Sequence, residues 1–524
     1  MTDLPPPDAP APAPPPTGVT APGQDRLADG EWHRLHPATP LLRGGIAFVA
    51  ILGVIIVNLR DIVIDIVFGG PDFDEDYNPV TFILEHDYLG LVVLGIIVGL
   101  LLTIGAFWLS WRMHTFRITD QLVEVRSGIL FRTHRRGRLD RIQGINIVRP
   151  FLARLVGAAK LEVSVAGEDA NIQLAYLGSS AADDLRREIL LLASGTRQAT
   201  DATAPAAASS GSLVTDRVNE LLAPELDPSL APPESVVKMH PGRLVGSLLL
   251  SVGTIIAVIA VVLVIVFSVQ LEVGLVIFGL IPAAIAFGSY NFSRLTRSLR
   301  YSIASTPDGV RVGFGLLSTS NDTLPPGRIH AVQVSQPLLW RLTGWWEIKI
   351  NRASSSSAQG AAGQANTTIL PVGTMADVRK VLELVLPHMT GDIDLLERAI
   401  VSRGGDDGFT TSPRRAAIVR WFSWRRNGVA QTPGAVLLRR GAIWRELVIV
   451  PTARIQSVAL NRGPFARRLR IAKVRVHTVA GPVSAYVGAL DQDFAVEFFE
   501  SVAHEAVAAG QADRSHRWRD EGAE

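Results

Sequence analysis

Along the chain, apolar residues come in long unbroken blocks separated by stretches in which they alternate with polar ones. Hydrocarbon about 30 Å thick requires roughly 20 apolar residues of helix to cross it, and four blocks approach or meet that length. Gly44 to Leu59 is uncharged for 16 residues and then meets Arg60, Asp61 and Asp65, while Tyr88 to Trp111 is uncharged for 24 and carries Trp108 and Trp111 as an interfacial anchor. Leu244 to Leu271 runs 28 residues without a charge, and Val273 to Ser293 runs another 21 after the lone Glu272. The blocks predict two transmembrane hairpins, four helices in all.

Between and after the hairpins the pattern changes to short runs of period two, each closed by a run of helical period. "TFRIT", "LVEVRSGILFR", "GINIV", "KLEVSVAG" and "NIQLAYL" read as strands, followed by a helix from Ala181 to Ser194. The same plan recurs twice more. Thr119, Thr306 and Thr432 each lie nine residues before Gly128, Gly315 and Gly441, and those glycines each lie thirteen before Arg141, Arg328 and Arg454. Three landmarks at equal intervals in three places make a threefold internal repeat. About seven strands and a closing helix in each copy fit a small, strongly bent sheet, with the glycines at the turn or bulge the bend needs. "LHP" before the first hairpin and "MHP" before the second extend the repeat upstream; the third copy has no hairpin.

The expected organisation is then a proline-rich tail over 1–30, hairpin one over 31–112, module one over 113–195 and a linker over 196–234. Hairpin two follows over 235–294, module two over 295–390, a linker over 391–413, module three over 414–510 and a polar tail over 511–524. The first 23 residues hold nine prolines and little that could form a core, which predicts disorder, and they lack the plan of a signal peptide.

Charge sets the expected orientation. His33, Arg34, His36 and Arg43 precede the first span and Arg112, His114 and Arg117 follow the second, whereas the loop between them is acidic from Asp72 to Asp87. Lys238, His240 and Arg243 precede the third span, and Arg294, Arg297 and Arg300 follow the fourth. Basic flanks stay cytoplasmic, so both termini and all three modules are expected on the cytoplasmic side of the cell (inner) membrane. The interiors of the spans hold no charge that would mark a transport path; Arg60 and Asp61 are read as interfacial.

The runs "RIQG" and "RPFLARLVG" of the first copy, the run "VPTARIQSVALNRGPFARRLRIAKVRVHT" of the third, and the order of parts resemble the bacterial pleckstrin-homology-like (PH-like) domain family, in particular its membrane proteins of the YdbT type. The resemblance covers about residues 30–195 and 235–508. It implies an α+β membrane protein with three PH-like β-barrel domains, each closed by a C-terminal helix, and it implies no catalytic activity. The middle copy departs most: "SQPLLWRLTGWWEIKI" keeps Pro337 and Leu342, but "STSNDTLPPG" has lost the arginines.

Arg126 to Arg154 holds eight arginines against one acid, Arg439 to Arg475 ten basic residues against one, and Arg311 to Lys349 only four against two. Copies one and three therefore offer basic platforms, with Arg132, Arg135, Arg136, Arg138, Arg439, Arg440, Arg467, Arg468 and Arg470 as candidate contacts to anionic lipid or a protein partner. A plain solvated face is the competing reading. The inositide-binding turn of eukaryotic PH domains would need basic residues where this chain has Asp120 and Gln121, Pro307 and Asp308, or Pro433 and Gly434, which disfavours that ligand. Arg141, Arg328 and Arg454, like Gly128, Gly315 and Gly441, are read as structural, the arginines bonding turn carbonyls. "AIVRWFSWRR" from Ala417 to Arg426 is read either as a bilayer-surface segment or as a first element of module three.

There are no cysteines, no zinc-protease, hydrolase or Walker motif, and "GGDDG" at Gly404 lacks the further acids of a calcium loop. His36 and His240 lack the partners of a metal site and are read as turn residues. No cofactor is expected, and nucleic acid is disfavoured because aromatic residues are not interleaved with the arginines. The expectation is a non-enzymatic, membrane-anchored adaptor or scaffold; the alternative is a component of a membrane transport or lipid-handling complex.

Overall fold

The computed structural model describes residues 27–37, 39, 42, 89–128, 132–166, 171–193, 237–271, 275–306, 309–316, 318–325, 327–353, 367–405 and 407–513. Each copy of the repeat supplies four strands and then three, followed by a helix. In copy one these are β1 (His33–Arg34), β2 (Thr115–Ile118), β3 (Leu122–Ser127) and β4 (Thr133–Arg138), then β5 (Ile142–Arg149), β6 (Ala158–Val165) and β7 (Ile172–Gly178). Helix α1 (Leu89–Arg112) precedes β2, the short α2 (Phe151–Leu155) follows β5, and α3 (Ser179–Ala193) closes the copy.

Copy two opens with β8 (Val237–Lys238), then runs through α4 (Pro241–Leu249), α5 (Val252–Leu271) and α6 (Leu275–Ser298). Its remaining strands are β9 (Ser302–Thr306), β10 (Gly309–Phe314), β11 (Thr319–Leu324), β12 (Ile329–Gln336), β13 (Trp346–Arg352) and β14 (Thr368–Gly373). Helices α7 (Met375–Val385) and α8 (Ile393–Val401) end it. Copy three has β15 (Thr410–Thr411), β16 (Gly428–Thr432), β17 (Ala435–Arg440), β18 (Arg445–Pro451), β19 (Ser457–Asn461), α9 (Pro464–Arg468), β20 (Ile471–His477), β21 (Tyr486–Asp491) and α10 (Gln492–Ala512).

The threonine and glycine landmarks occupy equal surroundings. Thr119, Thr306 and Thr432 each donate their hydroxyl to the carbonyl three residues on, at 3.2, 2.8 and 3.2 Å, closing the turn between the second and third strands of the copy. Gly128, Gly315 and Gly441 all adopt positive φ, at 104°, 106° and 79°. A Cβ at Gly315 would lie 2.0 Å from the Ser318 carbonyl oxygen, and one at Gly441 1.9 Å from that of Trp444, so only glycine fits the turn into the fourth strand.

The copies are not separate beads. The strands form four antiparallel sheets in the orders β1-β2-β3-β4, β7-β6-β5-β11-β10-β9-β8, β14-β13-β12-β18-β17-β16-β15 and β19-β20-β21. The three-stranded half of one copy thus continues, through β5–β11 and again through β12–β18, into the four-stranded half of the next. The sheet shared by copies two and three is buried on both faces. Leu437, Leu447 and Ile449 join the core of copy two, while Val436, Leu438, Val448 and Val450 join that of copy three with Ala331 of copy two. This is why β18 reads as a continuous apolar run where a one-sided strand would alternate.

Two expectations are corrected. Residues 391–413, expected as a linker, carry α8 and β15: Ile393, Leu396, Ala399 and Ile400 recur at helical spacing and sit in the core of copy two. The block from Leu244 to Leu271 is broken into α4 and α5, because Ser251 accepts from the Thr254 amide at 3.2 Å while the Thr254 hydroxyl binds the Leu248 carbonyl at 2.7 Å. Among the described residues no single helix is long and apolar enough to cross a membrane; α4 and α5 qualify together, with a bend of 48°. The first expected span, the acidic loop and the linker over 196–234 lie outside the described residues.

The apolar segments expected as hairpins fall in one interval of the chain order. In copies one and two they are inserted between the first strand, which carries the LHP or MHP approach, and the second. In copy three the same interval, between β15 and β16, holds a short turn that leaves Ile418, Val419, Trp421 and Phe422 exposed by 76, 56, 76 and 51%.

Candidate functional site

The arginines singled out in copy one lie on or beside β4. Arg135 donates to the Asn171 carbonyl at 3.1 Å, Arg136 pairs with Glu124 at 2.9 Å and Arg138 with Asp140 at 3.0 Å, while Arg132 is exposed ahead of the strand. Glu124 is nearly buried and also pairs with Arg117 at 2.5 Å. Burial works to raise its carboxyl, but these neighbours prevail and hold it below the usual glutamate range.

In copy three the expected platform divides. Arg467, Arg468 and Arg470 are exposed on and after α9, whereas Arg439 and Arg440 are not available to a ligand. Arg439 is fully buried against Phe409, pairs with Asp407 and donates to the Arg426 carbonyl at 2.9 Å. Arg440 pairs with Glu446, donates to the Ser484 and Tyr486 carbonyls and packs over the Tyr486 ring. Strand alternation turns Arg439 inward, where a charge must be paired. The sequence signal was present in Asp407, which "GGDDG" placed in a loop rather than beside a strand.

The landmark arginines do not share one contact. Arg141 is exposed, Arg328 donates to the Asp140 carbonyl of copy one at 3.2 Å, and Arg454 pairs with Asp513 at 2.9 Å. What recurs is the backbone: Arg141 and Arg454 end short helical turns, and all three lead into the strand that follows. His240 accepts from the Gly242 amide at 3.1 Å as the cap of α4, and among the described residues no group of three His, Cys, Asp or Glu side chains could hold a metal ion.

The structure assembles a site that no single stretch of sequence announced. A cleft of about 660 Å³ lies where copies two and three meet, lined by Arg341, Arg403, Arg425, Arg426 and Arg445 together with Trp346, Met375 and Phe422. Among the described residues none of these five arginines is in an ion pair. Arg341 donates to the Ile443 carbonyl at 2.7 Å, Arg426 to those of Ser402 and Ile400 at 2.8 and 3.0 Å, and Arg445 to the Gln336 amide oxygen at 3.4 Å.

Neutral acceptors leave the positive charge uncancelled. Burial, then the neighbouring Arg439, Arg445 and Arg341, push the Arg426 guanidinium down to about 9; burial first, then nearby arginines, also lower Arg341 and Arg445. Like charges held this close in a partly dry cleft favour an anion. The cleft opens beside Phe422, so the exposed apolar turn and the arginine cluster are contiguous. A second cleft of about 620 Å³ sits at the foot of α6 and includes Arg294, Arg297, Lys349 and Tyr301.

A family model described as the bacterial PH domain matches the chain three times, over residues 54–193, 245–387 and 408–507. The first two matches include the hairpin segments, in keeping with their insertion inside the copy. No curated protein and no solved structure is significantly similar to the chain. Three matched copies of one four-plus-three-stranded unit, spanning most of the sequence, show that the chain belongs to the bacterial PH domain family.

Proposed function

We propose that the protein is a membrane-anchored, non-enzymatic scaffold whose three PH-like domains stand on the cytoplasmic side and hold an anionic lipid headgroup or an acidic protein segment. PH-like domains are generally non-catalytic binding modules. The observation that carries the reading is positional: apolar hairpin segments enter copies one and two between the first and second strands, and copy three places Ile418, Val419, Trp421 and Phe422 at the same point. A surface turn with these side chains suits insertion at the headgroup level of a bilayer, and the adjoining cleft is lined by Arg403, Arg425 and Arg426 beside Phe422. Each arginine near an anionic surface contributes about 1 kcal/mol.

Because the chain has no cysteine, single substitutions test the topology directly. Asp74→Cys, between the first two expected spans, should react with a membrane-impermeant maleimide in intact cells. Arg132→Cys and Arg468→Cys should react only after lysis. Labelling of either module position from outside, or recovery of the chain in the aqueous fraction after alkaline extraction, would overturn the reading.

A further inference from the structure

The two internal joints between copies are built to one rule. At the first, the residue four past Arg141, Ile145, faces the residue eight past Gly315, Thr323, and the pairing runs antiparallel to Arg149 opposite Thr319. At the second, the residue four past Arg328, Val332, faces the residue eight past Gly441, Ile449, and the pairing runs to Gln336 opposite Arg445. The register relative to the landmarks is the same in both.

Each joint also has a clasp. Arg154, thirteen residues past Arg141, donates to the carbonyl of Leu316, just after Gly315, at 3.5 Å. Arg341, thirteen past Arg328, donates to those of Ala442 and Ile443, just after Gly441.

One strand of each kind is left over. Among the described residues β4, the copy-one counterpart of β11 and β18, ends its sheet, and so does β19, the copy-three counterpart of β5 and β12. All six residues of β11 are buried, whereas in β4 only Gly137 is. Arg467, thirteen past Arg454 on α9, is exposed, and its side chain makes no hydrogen bond or ion pair among the described residues. Arg154 in the same position is 5% exposed. β19 is exposed at its ends and half-buried from Val458 to Leu460, with α10 packed beside it; an unpaired edge with its half of a known joint intact is a template for pairing.

From this matching of ends we propose that the protein assembles head to tail with a second copy of itself, β19 of one molecule pairing with β4 of the next. The repeated register places Val458 opposite Arg136, Ala459 opposite Arg135, Leu460 opposite His134 and Asn461 opposite Thr133. Arg467 then stands where Arg154 and Arg341 stand at the internal joints. Charge supports the fit. β19 itself carries none, so it adds no like charge to the arginines of β4.

In the second joint α8 of copy two covers the next copy's sheet, with Leu396 and Ile400 packed in one core with Leu437 and Ile449. Copy three has no described counterpart of α8: α10 follows β21 as α7 follows β14, and its Ala495, Phe498 and Val502 pack in copy three's own core. A β19–β4 contact is heterologous, so it propagates until it closes into a ring or continues as a row. The assembly goes beyond the membrane reading and does not depend on it.

The cysteine-free chain makes the test specific. Full-length Arg136→Cys/Val458→Cys, oxidised mildly in its own membranes, should give a ladder of disulfide-linked multimers. Mixing the two single variants should give dimers alone. Thr133→Cys/Val458→Cys, displaced by about 10 Å along the strand, should cross-link at least about tenfold less, because a disulfide tolerates little change in separation. Arg467→Ala should lower the in-register yield by roughly fivefold.

Mass measurement of the unsubstituted chain in nanodiscs gives an independent readout that needs no variant to fold. A single-chain mass together with cross-linking no better than the displaced pair would overturn the proposal. So would efficient cross-linking of Arg136→Cys to itself, which would mean a two-fold β4–β4 pairing, or cross-linking exclusively to a different polypeptide.

Discussion

Removing Arg352 should unlock the first joint between copies. Arg352 on β13 pairs with Asp322 on β11 at 2.6 Å, both side chains are 4% exposed, and the pair lies against Gly144 of copy one. Burial raises the Asp322 carboxyl above the ordinary aspartate value; Arg352 opposes that shift and Glu162 adds to it. Arg352→Met leaves a buried carboxylate without its counter-charge, at a cost of about 3–5 kcal/mol. For a cooperative unit of 150–250 residues that corresponds to a loss of roughly 6–20 °C in midpoint.

The pH dependence has a definite sign. A carboxyl whose folded pKa lies above its unfolded one binds more protons in the fold, so its contribution is complete at acid pH and is lost as pH rises through the folded value. Without Arg352 that value rises further. The deficit of the variant against the parent should therefore be full at pH 7.5 and shrink toward pH 5. Thermal unfolding of the detergent-solubilised chain, followed by the fluorescence of its buried tryptophans, reads both quantities. Arg352→Met/Asp322→Leu should recover most of the loss, since a buried pair exchanged for apolar groups is often neutral. A small deficit independent of pH, or no recovery in the double variant, would refute the reasoning.

Gly315→Ala and Gly441→Ala should each cost about 1–3 kcal/mol or more in urea unfolding, because both positive φ and a carbonyl within 2.0 Å oppose a Cβ; Gly391→Ala, with open space around it, should be nearly silent. His330 is held down to about 4, first by burial and then by Arg454 and Arg328, with Asp513 and Asp140 nearby. Its contribution is therefore intact above pH 6.5 and falls by up to about 3 kcal/mol as pH drops toward 4. His330→Gln, the residue found at the equivalent Gln143 and Gln456, should flatten acid unfolding over that window, and an unchanged acid slope would exclude the assignment. Arg403→Ser/Arg425→Ser should reduce co-purifying phosphatidylglycerol several-fold, measured by native mass spectrometry, while leaving the melting temperature within a few degrees, because neither side chain bonds a carboxylate among the described residues. Ile418→Ser/Trp421→Ser/Phe422→Ser should weaken retention of that lipid further and leave the fold intact, as all three side chains are exposed.

The repeat was legible because its landmarks are backbone requirements. A threonine that closes a turn and a glycine at positive φ are dictated locally, so Thr119, Thr306 and Thr432 with Gly128, Gly315 and Gly441 could be found by spacing alone. Alternation likewise exposed the strands, and long uncharged blocks marked the apolar segments between the first and second strands of copies one and two. Alternation did not say what lay on the far side of a strand. β18 was apolar on both faces because two copies share it, a fact that belongs to neither copy's own pattern.

Charge was the least legible property. A basic run in the sequence counts arginines without their partners, so Arg439 and Arg440 were counted with Arg467 and Arg468, although Asp407 and Glu446 neutralise the former pair inside the fold. Conversely, the arginine cleft draws Arg341 from copy two, Arg403 from beyond α8, and Arg425, Arg426 and Arg445 from copy three, positions too scattered to register as a cluster.

The amino-acid order by itself thus determined the unit, its threefold repetition and the apolar segments between its strands, since turns, alternation and block length depend on near neighbours. Only the tertiary structure decided that successive units share sheets, which arginines are paired, and that among the described residues β4 and β19 lack the partner their counterparts have. The shared sheets depend on pairings across a hundred residues or more, and the fate of Arg439 on a contact with Asp407 in a separate loop; neither contact is written in near-neighbour pattern.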